Sequence, residues 1–275
     1  VYITKWGISG NLAGQFNSPY GIVTDASGNI YISDASRVQK FSSDGTLITS
    51  WGGAGGSVFN NAGPLAIDAD GNIYVSDGWN NLIQKFTGDG TFITKWSVSK
   101  PGQIALDASG NVYVTELTNG IVHKFTNSGA SLSTFGTAGT GNGEFDHPEG
   151  IAIDGLGNIY VVDAYNDRIQ KFNSSGTFIL SWTCTANSYG IITDASNNLY
   201  VTDPDNNKIQ KFSSTGALLL EWGTTIVNGQ FNKPTCVRVD ASGNIYVVDS
   251  GNNRIQKFNV QGAFLTKLDI IGTKN

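Results

Sequence analysis

The tetrapeptide Gly-Asn-Ile-Tyr, or a near copy of it, occurs six times in this chain, beginning at Gly28, Gly71, Gly110, Gly157, Asn197 and Gly243. Successive copies lie 39 to 47 residues apart. A period in that range belongs to propellers and solenoids, where one unit cannot bury its own apolar faces and several together can. A chain of 275 residues would otherwise be expected to hold two ordinary domains. The repeat assigns all of it to one body.

Each repeat reads as four short strands. In the fourth repeat, Ile-Ala-Ile-Asp at 151–154 is followed by a Gly-Leu-Gly-Asn turn and by Ile-Tyr-Val-Val-Asp at 159–163. A loop at 164–167 leads to Arg-Ile-Gln-Lys-Phe at 168–172, and a Gly-containing turn leads to Thr-Phe-Ile-Leu-Ser-Trp at 177–182. The strands are rich in β-branched and aromatic residues, and Gly and Asn in the turns accept positive φ. Four antiparallel strands on short turns make a propeller blade. The expected fold is an all-β, six-bladed β-propeller of four-stranded antiparallel blades. The blades would cover about residues 17–51, 62–96, 101–135, 146–182, 187–222 and 232–259, in one domain spanning 1–275. Both ends carry a candidate fourth strand, giving seven for six blades: 1–6 repeats the Phe-Ile-Thr-Lys-Trp of 92–96, and 263–268 reads the same way. The ring is expected to close by pairing of a terminal strand with the last blade. The choice here is 1–6, which would join the first and last blades in one sheet; 263–268 is the alternative.

The complete unit runs Phe-x-x-Pro, Gly-Ile-Ala-Ile-Asp, Gly-Asn-Ile-Tyr-Val-x-Asp, Asn-x-Arg-Ile-Gln-Lys-Phe. It resembles the NHL repeat, most fully at 145–172 and 231–258. The resemblance implies a six-bladed propeller whose loop face binds partners. The arginine of Asn-x-Arg is present as Arg168, Arg254 and, in a shorter loop, Arg37; Lys208, Leu82 and Ile121 replace it elsewhere. The acid ending the second strand is Asp34, Asp77, Asp163, Asp203 and Asp249, but Glu116 in the third repeat, the least regular one.

Six aspartates ending the first strands and six acids ending the second invite a metal reading. Sixfold repetition favours structure, because an active site is needed once. Each carboxylate can accept turn N–H bonds and pair with a nearby cation, as Asp163 with Arg168 and Asp249 with Arg254. Groups that do not repeat are better functional candidates. Trp79 and Tyr165 fall in loops between second and third strands, where exposed aromatics suit a binding surface. Aligning the repeats on the first-strand aspartates puts Tyr20, Glu149, Tyr189 and Gln103 at the mouth of the axial channel. Arg238 breaks a ring otherwise made of Val23, Ala66, Ala105, Ala152 and Ile192, and is expected to join the mouth and pair with Glu149.

Neither histidine completes a zinc set: His147 stands alone near the mouth, and His123 reads as a surface substitution for Gln. The mouth has too few inward oxygens for calcium, so no metal or cofactor is expected. Cys184 and Cys236 fall at the rim and the axis, beyond disulfide reach, and should be free thiols. A formal charge of −5 and a pI of about 4.9 argue against a nucleic-acid face, although some NHL propellers bind single-stranded RNA. No apolar run is long enough to span a membrane. Charged residues make up only 14%, and the Asn/Ser/Thr-rich surface suggests an extracellular or cell-surface monomer. The leading functional expectation is a non-catalytic binding or scaffold propeller that presents its loop face to a protein or glycan. The rival is an axial-site lyase or hydrolase with Glu149 as acid or base and Arg238 stabilising an anion, which requires both at the mouth.

Overall fold

The computed structural model describes residues 9–43, 45–52, 59–185, 187–223, 230–240, 242–259 and the backbone of 264–268. Six four-stranded antiparallel sheets follow one another along the chain, each in simple sequence order. In blade four the strands are Pro148–Ile153, Ile159–Asp163, Arg168–Phe172 and Phe178–Thr183. Blade one begins at Pro19–Thr24, blade two at Ala62–Ile67, blade three at Pro101–Leu106, blade five at Ile191–Thr193 and blade six at Pro234–Val239. First strands of neighbouring blades pack side by side around the axis. The apolar core lies between blades, in six clusters that each draw on two adjacent sheets.

Closure differs from the expectation. Phe264–Leu268 pairs antiparallel with Arg254–Phe258, with Ile255 opposite Leu268 and Phe258 opposite Phe264. The last blade therefore takes its fourth strand from the local hairpin, and the choice of 1–6 is corrected; residues 1–8 lie outside the described residues. A hairpin closes a far shorter loop than pairing between the chain ends, so its entropic cost is lower. Blade six meets blade one through side chains instead. Ile22, Phe16, Tyr246, Val248 and Ile255 share one cluster, and the Ser250 hydroxyl donates to Pro19 O at 2.7 Å.

The repeated acids are structural. Asp25 Oδ1 accepts from the backbone N–H groups of Ser27 (3.0 Å) and Asn29 (2.8 Å), and its Oδ2 accepts from Asn29 Nδ2 and the Tyr31 hydroxyl. The Lys40 ammonium lies 5.0 Å from the centre of the Tyr31 ring. The same aspartate, asparagine, tyrosine and lysine recur in every blade. At the other end of the second strand, Asp163 is fully buried. It accepts from Arg168 Nε (2.7 Å), Gln170 Nε2 (3.0 Å), Asn166 Nδ2 (3.0 Å) and Asp146 N (2.7 Å). That last bond ties the incoming loop to the blade, so these buried acids shape the loop face.

Blade three varies this network in two places at once. Glu116 replaces Asp, and its carboxylate meets His123 Nε2 and Asn119 Nδ2. His123 is thus no idle surface substitution. Its ring stands where the glutamine of blades one, two, four and six reaches the acid, and it stacks on Phe125 with ring centres 5.6 Å apart.

Successive blades also lock through their fourth strands. Trp96 lies against Gly129 in the next blade, where φ is +91° and a Cβ would stand 2.6 Å from the indole. Trp51 on Gly90 and Trp182 on Gly216 repeat the contact, and Phe135 on Gly176 replaces it in blade three. Glycine is required there twice over, by the backbone and by the ring. Gly129→Ala should therefore destabilise by ~2 kcal/mol or more, from combined left-handed strain and overpacking; the midpoint of urea unfolding is the measurement.

Candidate functional site at the axial mouth

The mouth is built by an irregularity shared by the first strands. The pairing register slips between Pro19 and Ile22, Ala62 and Leu65, Pro148 and Ile151, and Pro234 and Cys236. In blade three the slip lies opposite the interval from Val114 to Glu116. Such a bulge releases residues from the pleat and re-aims their side chains. Tyr20, Pro64, Gln103 and Glu149 sit at these slips, and Tyr189 lies two residues before the shortened first strand of blade five. First strands approach closely here: a Cβ on Gly150 would lie 2.3 Å from Tyr189 O.

A cavity of about 260 Å³ opens on this face, lined among others by Tyr20, Trp79, Lys100, Glu149 and Tyr189. A narrow throat beneath it is bounded by Tyr20, Gln103, Glu149, Tyr189 and Cys236. Trp79 is 69% exposed at the cavity edge, a large apolar surface left in water. Tyr165 is also exposed, at 58%, but its ring stacks on His147 with centres 4.2 Å apart, so it forms a rim pair and does not line the cavity.

Glu149 has no hydrogen-bond or ion-pair partner for its carboxylate among the described residues. Burial alone raises its carboxyl to about 7. Burial, and then the nearby Glu149, push the Tyr20 phenol well above its usual value, and the same two causes raise Tyr189. Gln103 reaches the throat with its amide already engaged. Its Nε2 donates to Ile191 O at 3.0 Å and its Oε1 accepts from Ile191 N at 3.3 Å, spanning the axis from blade three to blade five.

Arg238 does not join these groups. It lines a second axial chamber of about 240 Å³, set among Ile104, Ala105, Ile151 and Ala152 beyond the throat. Its Nε donates to Ile22 O at 3.0 Å and its Nη2 to Leu65 O at 3.1 Å. The expected Glu149–Arg238 pair is therefore corrected. The first strands run along the axis, so the four residues from Glu149 to Ala152 already separate mouth from chamber, and Arg238 belongs to the lower level.

Lys100, Leu117 and Asn61 also line the cavity and were not singled out from the sequence. Lys100 stands just before Pro101 with a φ of +41°, and Ser18, His147 and Lys233 hold the same place before their prolines with φ of +57°, +53° and +51°. That aligned position was the available signal. Cys184 and Cys236 are free thiols, and burial lifts Cys184 to about 12. Among the described residues no three His, Cys, Asp or Glu side chains gather in a metal-binding cluster, and no helix is long and apolar enough to cross a membrane.

Comparison with known proteins agrees with this architecture. The NHL repeat model matches residues 59–86, 145–172 and 231–258. No curated protein matches the sequence significantly. Among solved structures, a catalytically inactive virginiamycin B lyase from Staphylococcus aureus with quinupristin aligns at a TM-score of 0.70 and 20% identity, over 94% of this chain and 87% of that one. A gluconolactonase from Xanthomonas campestris aligns at 0.67 and 16%, over 86% and 84%. A chain of a nidogen–laminin complex aligns at 0.63 and 18%, over 78% and 83%. At these identities the likeness is one of fold; the neighbours include both enzymes and a protein-binding assembly.

Proposed function

Because the chain is a six-bladed β-propeller carrying NHL repeats, we propose that it is a binding protein whose loop-face mouth receives a protein ligand on the extracellular side. The observation that carries this reading is the convergence of Trp79, Tyr20 and Tyr189 with Glu149 around one open cavity. Aromatic anchors in and beside a pocket are the usual centre of a protein interface, and a cavity of this size suits an inserted side chain. The repeated acids, by contrast, are all engaged within blades. A glycan is the other ligand such aromatic and polar groups could serve.

Trp79→Ala should weaken binding to the purified partner at least tenfold, since loss of a central aromatic anchor typically costs ~2 kcal/mol. Leu156 is equally exposed but sits in a turn between first and second strands, on the opposite face. Leu156→Ala should leave affinity unchanged. Equal effects of the two substitutions would move the site off the mouth.

One observation favours a second reading. A carboxyl raised to about 7 is suited to general acid–base work near neutral pH. An axial-site lyase or hydrolase would then rest on Glu149 with Tyr20 and Tyr189 beside it, without Arg238. Turnover that disappears in Glu149→Gln while ligand affinity persists would favour the enzyme.

A further inference from the structure

The chain contains four arginines. Three are ion-paired with a buried aspartate: Arg37 with Asp34, Arg168 with Asp163 and Arg254 with Asp249. The fourth, Arg238, forms no ion pair with any carboxylate among the described residues, although it is drawn into the axis of the molecule. A guanidinium cannot discharge itself by losing its proton at any ordinary pH. Its two observed bonds go to the Ile22 and Leu65 carbonyls, which solvate the cation partly and leave its net charge uncompensated. Arg238 is part-buried at the wall of the axial chamber, and a partly desolvated charge without a counter-charge is costly to hold there.

The surroundings fit a counter-ion. The chamber beside Arg238 measures about 240 Å³ and is lined mainly by apolar side chains, with Thr24 and Thr193 as its hydroxyls. Thr193 donates to Ile153 O, whereas the Thr24 hydroxyl has no bond among those found in the structure. Guanidinium N–H groups beyond the two bonded positions, together with this hydroxyl, have no protein acceptor among the described residues. In a partly enclosed chamber such donors attract an anion more strongly than they would in bulk water. The remaining five positions of the ring containing Arg238 are Val23, Ala66, Ala105, Ala152 and Ile192; none carries a charge that could compete.

We propose that the axial chamber is a binding site for a small monoanion, a carboxylate held by Arg238 with Thr24 as second donor. One guanidinium balances one negative charge, and its planar edge matches a carboxylate in two parallel bonds. The site is independent of the mouth. Glu149, the carboxyl of the mouth, lies at the other level of the axis, and the Cys236 thiol, raised by burial, is the titratable neighbour of Arg238.

The test is an NMR titration of the full protein with sodium acetate, with sodium chloride and sodium phosphate as parallel arms at matched ionic strength. Four arginines give four side-chain Nε–H signals, and Arg238→Lys identifies the one in question by its loss. Acetate should shift the Arg238 signal saturably, at millimolar concentration, while the other three stay in place. In the same titration Trp79→Ala should respond like the native protein, so failure of the mouth assignment would not disturb this result. Thermal unfolding gives a second readout: acetate should raise the native midpoint by mass action and leave Arg238→Met unmoved. The proposal is overturned if no anion shifts Arg238 saturably, or if all four signals drift together as in a general salt effect. A response to chloride or phosphate with none to acetate overturns the carboxylate assignment.

Discussion

Glu149→Gln should stabilise the protein above pH 7 and leave it unchanged below pH 4.5. Burial raises the Glu149 carboxyl from 4.5 to about 7 in the folded chain. Between those values the folded state holds a proton that the unfolded state releases. Rising pH therefore removes stability through this window, and the loss is complete above the folded value. At about 1.4 kcal/mol per pH unit, the native protein gives up ~3 kcal/mol that the neutral glutamine variant retains. Chemical unfolding from pH 4 to pH 8 would display it as two curves that coincide in acid and diverge towards neutrality. Parallel curves would mean that Glu149 is solvated or partnered in solution. Tyr20, Tyr189 and Cys236 share its surroundings, but burial raises all three above their usual values, so none of them mimics the signal. The same measurement bears on function: a ligand that supplies a positive charge to Glu149 should bind more tightly as pH rises through 7.

Asp163→Ala should have the opposite sign and a larger effect. This carboxylate is fully buried and gathers Arg168, Gln170, Asn166 and the Asp146 N–H. Its removal leaves a part-buried guanidinium without its counter-charge and several donors without an acceptor. Breaking one side of such a pair typically costs about 3–5 kcal/mol. Adding Arg168→Met should recover part of the loss, because it takes away the orphaned cation. The midpoint of urea unfolding reads both steps, with an unchanged slope showing that the folded state stays compact. A loss below ~1 kcal/mol for Asp163→Ala would show that water solvates the pocket and that the acid holds little.

These two carboxylates illustrate what a sequence of this kind makes legible. Asp163 recurs in register with Asp34, Asp77, Asp203 and Asp249, each followed by its own donors. Repetition identified the group as scaffold, and the hydrogen bonds match that reading. Glu149 has no counterpart in the other blades, and its place at the mouth followed from counting back from Asp154. The count worked because five of the six blades slip the first-strand pairing near the same point. The exchange of His123 and Glu116 escaped notice because the two lie seven residues apart on neighbouring strands. Each looks like an isolated departure until the strands are paired.

From the sequence alone came the number of blades, the strand order within each, the turns that need glycine or asparagine, and the division between repeated and unrepeated groups. All of these depend on contacts within one repeat, where about forty residues of pattern carry the instruction six times over. The tertiary structure alone decided how the ring closes, that Gln103 is engaged across the axis, and that Arg238 occupies a different chamber from Glu149. These outcomes rest on bonds between residues far apart in the chain: 88 residues separate Gln103 from Ile191, and 216 separate Arg238 from Ile22. No periodicity encodes such a contact. It exists only once six blades have packed and their first strands face one another across the axis.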